Sequence, residues 1–201
     1  MSNQQACGTS QIAGCRFSVH PMTDDFVNVI LGALEEVDTS KVWMETDDVS
    51  TCVRGRISHI FDVTNAIFVH AAKTGKHVAF SGTFSIGCPG DTEGDVYLAE
   101  DDVRLNEDVT KTIEQPTACQ FALYPMGDGD YMDVIYHQVQ EIAKLGVDVS
   151  SVHYATRLDG EANDIFKGLE QVFTKTKESG CSHTVMTVSL SANSPSHKGG
   201  K

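Results

Sequence analysis

The sequence predicts an α+β protein made of two tandem βαββαβ units, each with its helices on one face of an antiparallel sheet. Three observations point there. First, Cys15-Arg16-Phe17-Ser18-Val19-His20-Pro21-Met22 and Cys119-Gln120-Phe121-Ala122-Leu123-Tyr124-Pro125-Met126 are versions of one another, with Cys, Phe, Pro and Met recurring at a spacing of 104 residues. Second, each stretch alternates for several residues and then passes through Pro-Met and an acidic patch into a helical pattern, so a strand runs into a helix twice. Third, 201 residues accommodate one large domain or two of about 100 residues each.

Residues 1–14 read as a lead-in, broken by Gly8 and Gly14. Cys15 to His20 is the first strand, with Phe17 and Val19 on one side and Arg16, Ser18 and His20 on the other. Pro21 ends ladder pairing. Thr23 is placed to cap the next helix, with Asp24 and Asp25 in its first turn. Phe26, Val29, Ile30, Ala33, Leu34 and Val37 supply its apolar stripe. Lys41 to Thr46 and Val49 to Arg54 form a hairpin turning at Asp47-Asp48. A second helix runs from about Ile57 to Lys73, and Gly75 stops it. His77 to Ile86 alternates as the last strand.

Gly87 to Asp95 is a Gly- and Asp-rich turn region, and Val96 to Ala118 a polar connector of unassigned structure. The second unit then matches the first. One inserted residue after Met126 moves the spacing to 105, pairing Phe26 with Tyr131, Thr51 with Thr156, Gly55 with Gly160 and Phe61 with Phe166. In the last strand the spacing is read as returning to 104, pairing Thr83 with Thr187 and Ser85 with Ser189. Residues from Asn193 to Lys201 read as a frayed tail. The expected division is 14–90, a connector over 91–116, and 117–192.

A βαββαβ unit with helices on one face is the ferredoxin-like arrangement. Helix-facing positions should be apolar, and Phe17, Val19, Val53, Phe80, Phe84, Ile86, Phe121, Leu123, Leu158, Met186, Val188 and Leu190 meet that demand. The opposite face is mixed and rich in small hydroxyls, as suits a sheet packed on another sheet with a wet pocket between. A solvated face is the plain alternative for any one Ser or Thr.

Composition narrows the function. A formal charge of −13, from 28 acidic and 15 basic side chains, lacks the basic footprint of a nucleic-acid binder and favours cationic ligands. No stretch of about 18 apolar residues is present, so membrane insertion is not expected. The polar residues Met1 to Thr9 do not resemble a signal peptide. Cysteines at 7, 15, 52, 88, 119 and 181 match no zinc framework and read as reduced thiols of a cytoplasmic protein. No nucleophile elbow, phosphate-binding loop or His-Glu-x-x-His helix occurs. Asp91-Thr92-Glu93-Gly94-Asp95 mimics part of a calcium loop, but without a clear closing Glu it reads as a hydrated turn, so neither metal nor cofactor is expected. The acidic pairs Asp24-Asp25 and Asp128-Asp130 read as helix N-terminal charges that could also face a cationic ligand. His153 reads as a turn residue. Thr51 and Thr156 share parity with core-facing neighbours, so each is either a satisfied core hydroxyl or a pocket donor.

Several motifs stand out together. They are Cys7-Gly8-Thr9-Ser10, Arg16-Phe17-Ser18 with Pro21-Met22-Thr23-Asp24-Asp25, and Gly82-Thr83-Phe84-Ser85-Ile86-Gly87-Cys88-Pro89-Gly90-Asp91-Thr92. To these add Cys119 through Met126, Val152-His153-Tyr154-Ala155 and Leu190-Ser191-Ala192-Asn193-Ser194-Pro195, and together they carry a resemblance to the YkoF family that spans nearly the whole chain. It implies tandem ferredoxin-like (ACT-like) repeats in a homodimer. It also implies one site per repeat for thiamine or hydroxymethylpyrimidine, and a part in salvage or uptake of that precursor, with an uptake transporter as a further partner. The expected ligand residues are Ser18, His20, Thr51, Thr83 and Ser85 in the first repeat and Tyr124, Thr156, Thr187 and Ser189 in the second. The two sites are expected to be unequal, because Ser18 becomes Ala122 and His20 becomes Tyr124. Two alternatives stand beside this non-catalytic binder. One is an ACT-like module sensing an amino acid. The other is an enzyme on a dimeric ferredoxin-like barrel, with His20 or His153 as acid/base.

Overall fold

The computed structural model describes residues 12–88, 98–127 and 131–196, without the side chains of 131–134, 137 and 138. The Asp91–Asp95 turn, the acidic run at 128–130, Cys7 and the tail beyond 196 lie outside the described residues. The first unit runs β1 (Ala13–Pro21), α1 (Phe26–Glu35), β2 (Trp43–Thr46), β3 (Thr51–Gly55), α2 (Ile57–Ala72) and β4 (Val78–Ile86). A short helix α3 (Glu107–Thr110) lies in the connector. The second unit runs β5 (Pro116–Met126), α4 (Tyr131–Ile142), a 3-10 turn (Ala143–Leu145), β6 (Asp148–Val152), β7 (Ala155–Glu161), α5 (Ala162–Glu178) and β8 (His183–Ala192). These are two ferredoxin-like units in tandem.

They share one sheet. All neighbours are antiparallel, in the order β2-β3-β1-β4-β8-β5-β7-β6, so the last strands of the two units pair with each other. Strand parity explains the layers. Cys15, Phe17, Val53, Phe80, Phe84, Phe121, Leu158, Met186 and Leu190 are buried on the helix side, as their alternation requires. Beneath the junction, aromatic rings join the two halves: Phe61 stacks on Phe84 at 4.3 Å between centroids, and Phe166 meets Phe80 edge-on at 6.1 Å. Gly82 permits this packing, because a Cβ there would stand 2.6 Å from the Phe80 ring.

Three local expectations are corrected. Thr23 does not cap α1: its hydroxyl accepts from the Asp25 amide at 3.3 Å, and Asp25 takes the cap position. The first hairpin turns over Asp47–Ser50, closed by Asp47 N–H donating to the Ser50 carbonyl at 3.0 Å, so Val49 leaves the strand and is exposed. Asn193 is not frayed: its amide donates to the carbonyls of Ala72 at 2.8 Å and Lys76 at 2.9 Å.

The register of the last strand is also corrected. Arg16 faces Thr83, whereas Gln120, 104 residues after Arg16, faces Ser189, which lies 106 after Thr83. Thr83 therefore corresponds to Ser189, and Ser81 to Thr187. Gly87 and Asn193, also 106 apart, both take positive φ just past their strands. A shift of two residues preserves alternation, so sequence parity alone does not see it.

Candidate functional site

The face of the sheet away from the helices is a grid set by register. One row runs Arg54, Gly14, Ser85, Val185, Tyr124, and the next Cys52, Arg16, Thr83, Thr187, Ala122. The third runs Ser18, Ser81, Ser189, Gln120, Arg157, Ser150, and the fourth His20, Ala79, Ser191, Ala118, Asp159, Asp148. An approximate twofold between β4 and β8 exchanges the first row with the fourth and the second with the third.

This grid sorts the expected residues. Ser18, His20, Thr83, Ser85, Tyr124, Thr187 and Ser189 all lie on the open face. Thr51 and Thr156 do not: they pair with Phe17 and Phe121 and belong to the helix side. The Thr51 hydroxyl is hydrogen-bonded to that of Thr46 at 2.9 Å. Thr51 and Thr156 therefore lie across the sheet from the other seven expected residues. Ser85 is displaced too. It stands in the row of Tyr124, six residues along the strands from the row of His20, which corresponds to about 20 Å. Ser85, proposed from the sequence for the first group, thus stands nearer Tyr124 of the second.

Hydrogen bonds fix several of these side chains. Ser18 Oγ donates to the Val49 carbonyl at 3.1 Å, and Arg16 Nη1 donates to Asp47 Oδ2 at 3.2 Å and Ser50 Oγ at 3.0 Å. The amides of Ser50 and Val49, with Arg16, hold the Asp47 carboxyl below its ordinary range. In the second repeat Arg157 donates to both oxygens of Asp159 at 2.7 Å, a fork that holds the guanidinium against its own strand. The thiols of Cys15 and Cys119 lie under the first strands and are pushed well up by burial, which makes them packing groups and not nucleophiles.

Sequence reasoning missed two histidines. His77 Nε2 and Ser191 Oγ are hydrogen-bonded at 3.0 Å, as are His183 Nε2 and Ser85 Oγ. The direction of each bond follows the imidazole tautomer. His183 lies 106 residues after His77, and Ser191 lies 106 after Ser85, so the two pairs are equivalents. The shared spacing is the sequence signal that would have found them. Cavities of about 210 and 310 Å³ lie on the other side, among the helices and connector; Arg104, Glu170 and Asn163 line the first, Arg56 and Lys177 the second. Neither touches the open-face grid. No group of side chains among the described residues is arranged to hold a metal ion. No helix among them is long and apolar enough to cross a membrane.

Comparison with known proteins agrees with this duplicated layout. Two solved structures share 14% identity with the chain. One is a DUF77 domain from Bacillus cereus, with TM-score 0.34 over 38% of this chain and 75% of that one. The other is protein SP2199 from Streptococcus pneumoniae, with TM-score 0.32 over 37% of this chain and 83% of that one. Likenesses this slight carry no argument, and the fold rests on the strand order above. A Bacillus subtilis (strain 168) protein named "Putative HMP/thiamine-binding protein YkoF" is 53% identical over 198 residues, 98% of each chain. The profile described as the YKOF-related family matches residues 12–91 and again 116–197, one match on each repeat. With both repeats matched and a relative this similar along its length, the chain belongs to the YKOF-related family.

Proposed function

We propose that the protein is a non-catalytic carrier of thiamine or its hydroxymethylpyrimidine part, with one site in each repeat, acting in salvage or uptake of the precursor. The observation that carries this reading is the near full-length likeness to a protein named for binding HMP or thiamine. The chemistry of the open face supports it. An aminopyrimidine presents a donor amine and acceptor ring nitrogens, which a grid of hydroxyls can read. The thiazolium of thiamine is cationic and suits a chain of net charge −13.

The first site centres on Ser18 and His20 and the second on Tyr124, with Thr83, Thr187 and Ser189 between them. The two repeats, 14–90 and 117–192, are the units that each bring one site. A homodimer with open faces packed together would shield both sites from water, and Tyr124, half exposed in the single chain, would be covered by it. The protein would work in the cytoplasm and pass its ligand on from an uptake transporter.

Titration calorimetry with thiamine, hydroxymethylpyrimidine and a panel of amino acids tests the reading. The expected result is two unequal binding steps for the first two compounds and none for the amino acids. Amino-acid binding alone would favour a regulatory module instead. A second reading, hydrolytic catalysis, draws on the 3.0 Å reach between Ser85 and His183. Recovery of unaltered thiamine after long incubation would dismiss it.

A further inference from the structure

Helix α1 is more apolar than its place in the fold requires. At about 100° per residue, its apolar side chains run from Val29 round to Leu31 through an arc of roughly 200°, about twice the stripe a surface helix needs. The core takes one flank: Ala33 and Val37 are buried, and Val29 and Leu34 pack against the core. The other flank and the N-terminal end have no cover. Phe26, Val27 and Leu31 are each about half exposed, and Met22, just before the helix, is 58% exposed. Phe26 with Ile30, and beside them Val27 with Leu31, form two adjacent i, i+4 ridges, a surface shaped to receive another helix.

We propose that α1 is a docking face for a partner protein, and that the partner presents a basic amphipathic helix. The rim of the face decides the occupant. Asp24 and Asp25 stand exposed at one end of α1 and Glu35 and Glu36 at the other. No Lys, Arg or His occurs from Thr23 to Val37. Of the four carboxylates only Glu36 has a cation beside it among the described residues, Lys73 at 4.0 Å. A second copy of α1 would set carboxylate against carboxylate in either direction, and an anionic lipid surface would be repelled in the same way. A helix whose apolar stripe is flanked by Lys and Arg satisfies both the ridges and the rim. The second repeat does not repeat the face: the counterparts of Gly32, Ala33 and Glu35 are His137, Gln138 and Gln140. The helices lie across the sheet from the open face that the proposed dimer covers, so α1 stays accessible in it. Cytoplasmic loops of membrane proteins carry an excess of Lys and Arg, so the face suits the uptake transporter, an identification that rests on the function proposed above.

The probe is a synthetic helical peptide of leucine and lysine, its leucines on one i, i+4 stripe, with a twin that carries glutamate in place of lysine. Calorimetry on the whole protein should show binding of the lysine peptide that weakens as salt rises, and no binding of the twin. Val27→Gln combined with Leu31→Gln places two good helix formers at exposed positions. It should leave the thermal midpoint nearly unchanged and weaken peptide binding roughly tenfold or more. Leu31→Met, which keeps the apolar ridge, should bind as wild type does. Tyr136→Gln, exposed on the equivalent helix α4, should change nothing. Peptide binding that ignores Val27 and Leu31 is attraction to an acidic chain alone and overturns the docking face. A change of oligomer size in the double variant assigns the face to a contact between copies, and loss of thiamine binding assigns it to a ligand site; either overturns the proposal. A wild type that binds thiamine but not the lysine peptide overturns the docking face and leaves the proposed function standing. A wild type that binds the peptide through Val27 and Leu31 but neither thiamine nor hydroxymethylpyrimidine keeps the docking face and removes the transporter as its partner.

Discussion

The second helices of the two repeats, α2 and α5, occupy equivalent places and live in different surroundings. His59, Asp62, Thr64 and His70 of α2 are all buried. Their counterparts 105 residues on are Asp164, Lys167, Leu169 and Lys175, and of these only Leu169 is buried. At Asp62 the difference comes from the connector. This segment, leaving the first unit, lies back over α2, and Asp62 Oδ2 accepts from the amides of Leu105 and Asn106 at 3.1 Å and from Asn106 Nδ2 at 2.8 Å. Asn106 in turn holds the backbone of Asp38 beyond α1. Arg56 and Ser58 at the start of α2 bond Asp102 of the same segment. Duplication set the register of the two helices, and at Asp62 the connector supplies the donors that let α2 carry a carboxylate into the interior.

The largest effect should come from cutting that tie. Asp62→Ala leaves the buried Asn106 amide and side chain and the half-buried Leu105 amide without their acceptor, and should cost about 2–5 kcal/mol in chemical denaturation. Lys167→Ala, at the equivalent exposed place on α5, should stay within about 0.5 kcal/mol. Equal losses at the two positions would mean that the connector adds nothing to α2.

Most of the fold was legible because alternation and helical stripes are local. The order of strands and helices, the existence of both hairpins and the polar open face followed from alternation and helical period, though the cap of α1 and the turn of the first hairpin did not. Parity also placed Thr51 and Thr156 as observed: they share a face with Val53 and Leu158, across the sheet from the other expected ligand residues. The displaced last strand was not legible. Spacings of 104 and 106 keep every side chain on the same face, and a Thr–Thr match favoured the wrong one. That choice hid His77 and His183, which become equivalent only at 106. The connector was opaque for another reason, since its structure is fixed by side chains of α1 and α2 distant in sequence and by no periodicity of its own.

A second contrast between the helices titrates. Asn65 of α2 and Glu170 of α5 are equivalent, and only one carries an ionisable group. Burial raises the Glu170 carboxyl from its usual 4.5 to about 7, against the pull of Arg104 at 2.8 Å. The folded state thus holds this proton more tightly than the unfolded chain does. The contribution to stability is fully present below about pH 4.5 and is lost as pH rises through about 7. Its size should be about 1–3 kcal/mol. Glu170→Gln should flatten that part of the stability–pH curve, read from denaturation midpoints between pH 4.5 and 8. An unchanged slope would mean that Arg104 holds the carboxylate charged throughout.

The smallest effect belongs to the open face, where Ser18 of the first repeat stands against Ala122 of the second. The Ser18 proton is already engaged by the Val49 carbonyl in the four-residue turn 47–50, while the second hairpin turns in two residues, His153 and Tyr154. A ligand can therefore use Ser18 only as an acceptor, and the group it would meet is the exocyclic amine of an aminopyrimidine, not a ring nitrogen. Ser18→Ala should lower stability by about 0.5–1.5 kcal/mol through the lost hairpin bond. It should also weaken aminopyrimidine binding at the first site by up to roughly tenfold and leave the second site alone. An analogue with oxygen in place of the amine should bind wild type and variant equally, because that oxygen offers no proton to the serine. Calorimetry with both rings reads the two effects apart. A variant that loses stability and keeps its affinity for the amine would assign Ser18 to the hairpin alone, and the difference between the two sites would then rest on His20 and Tyr124.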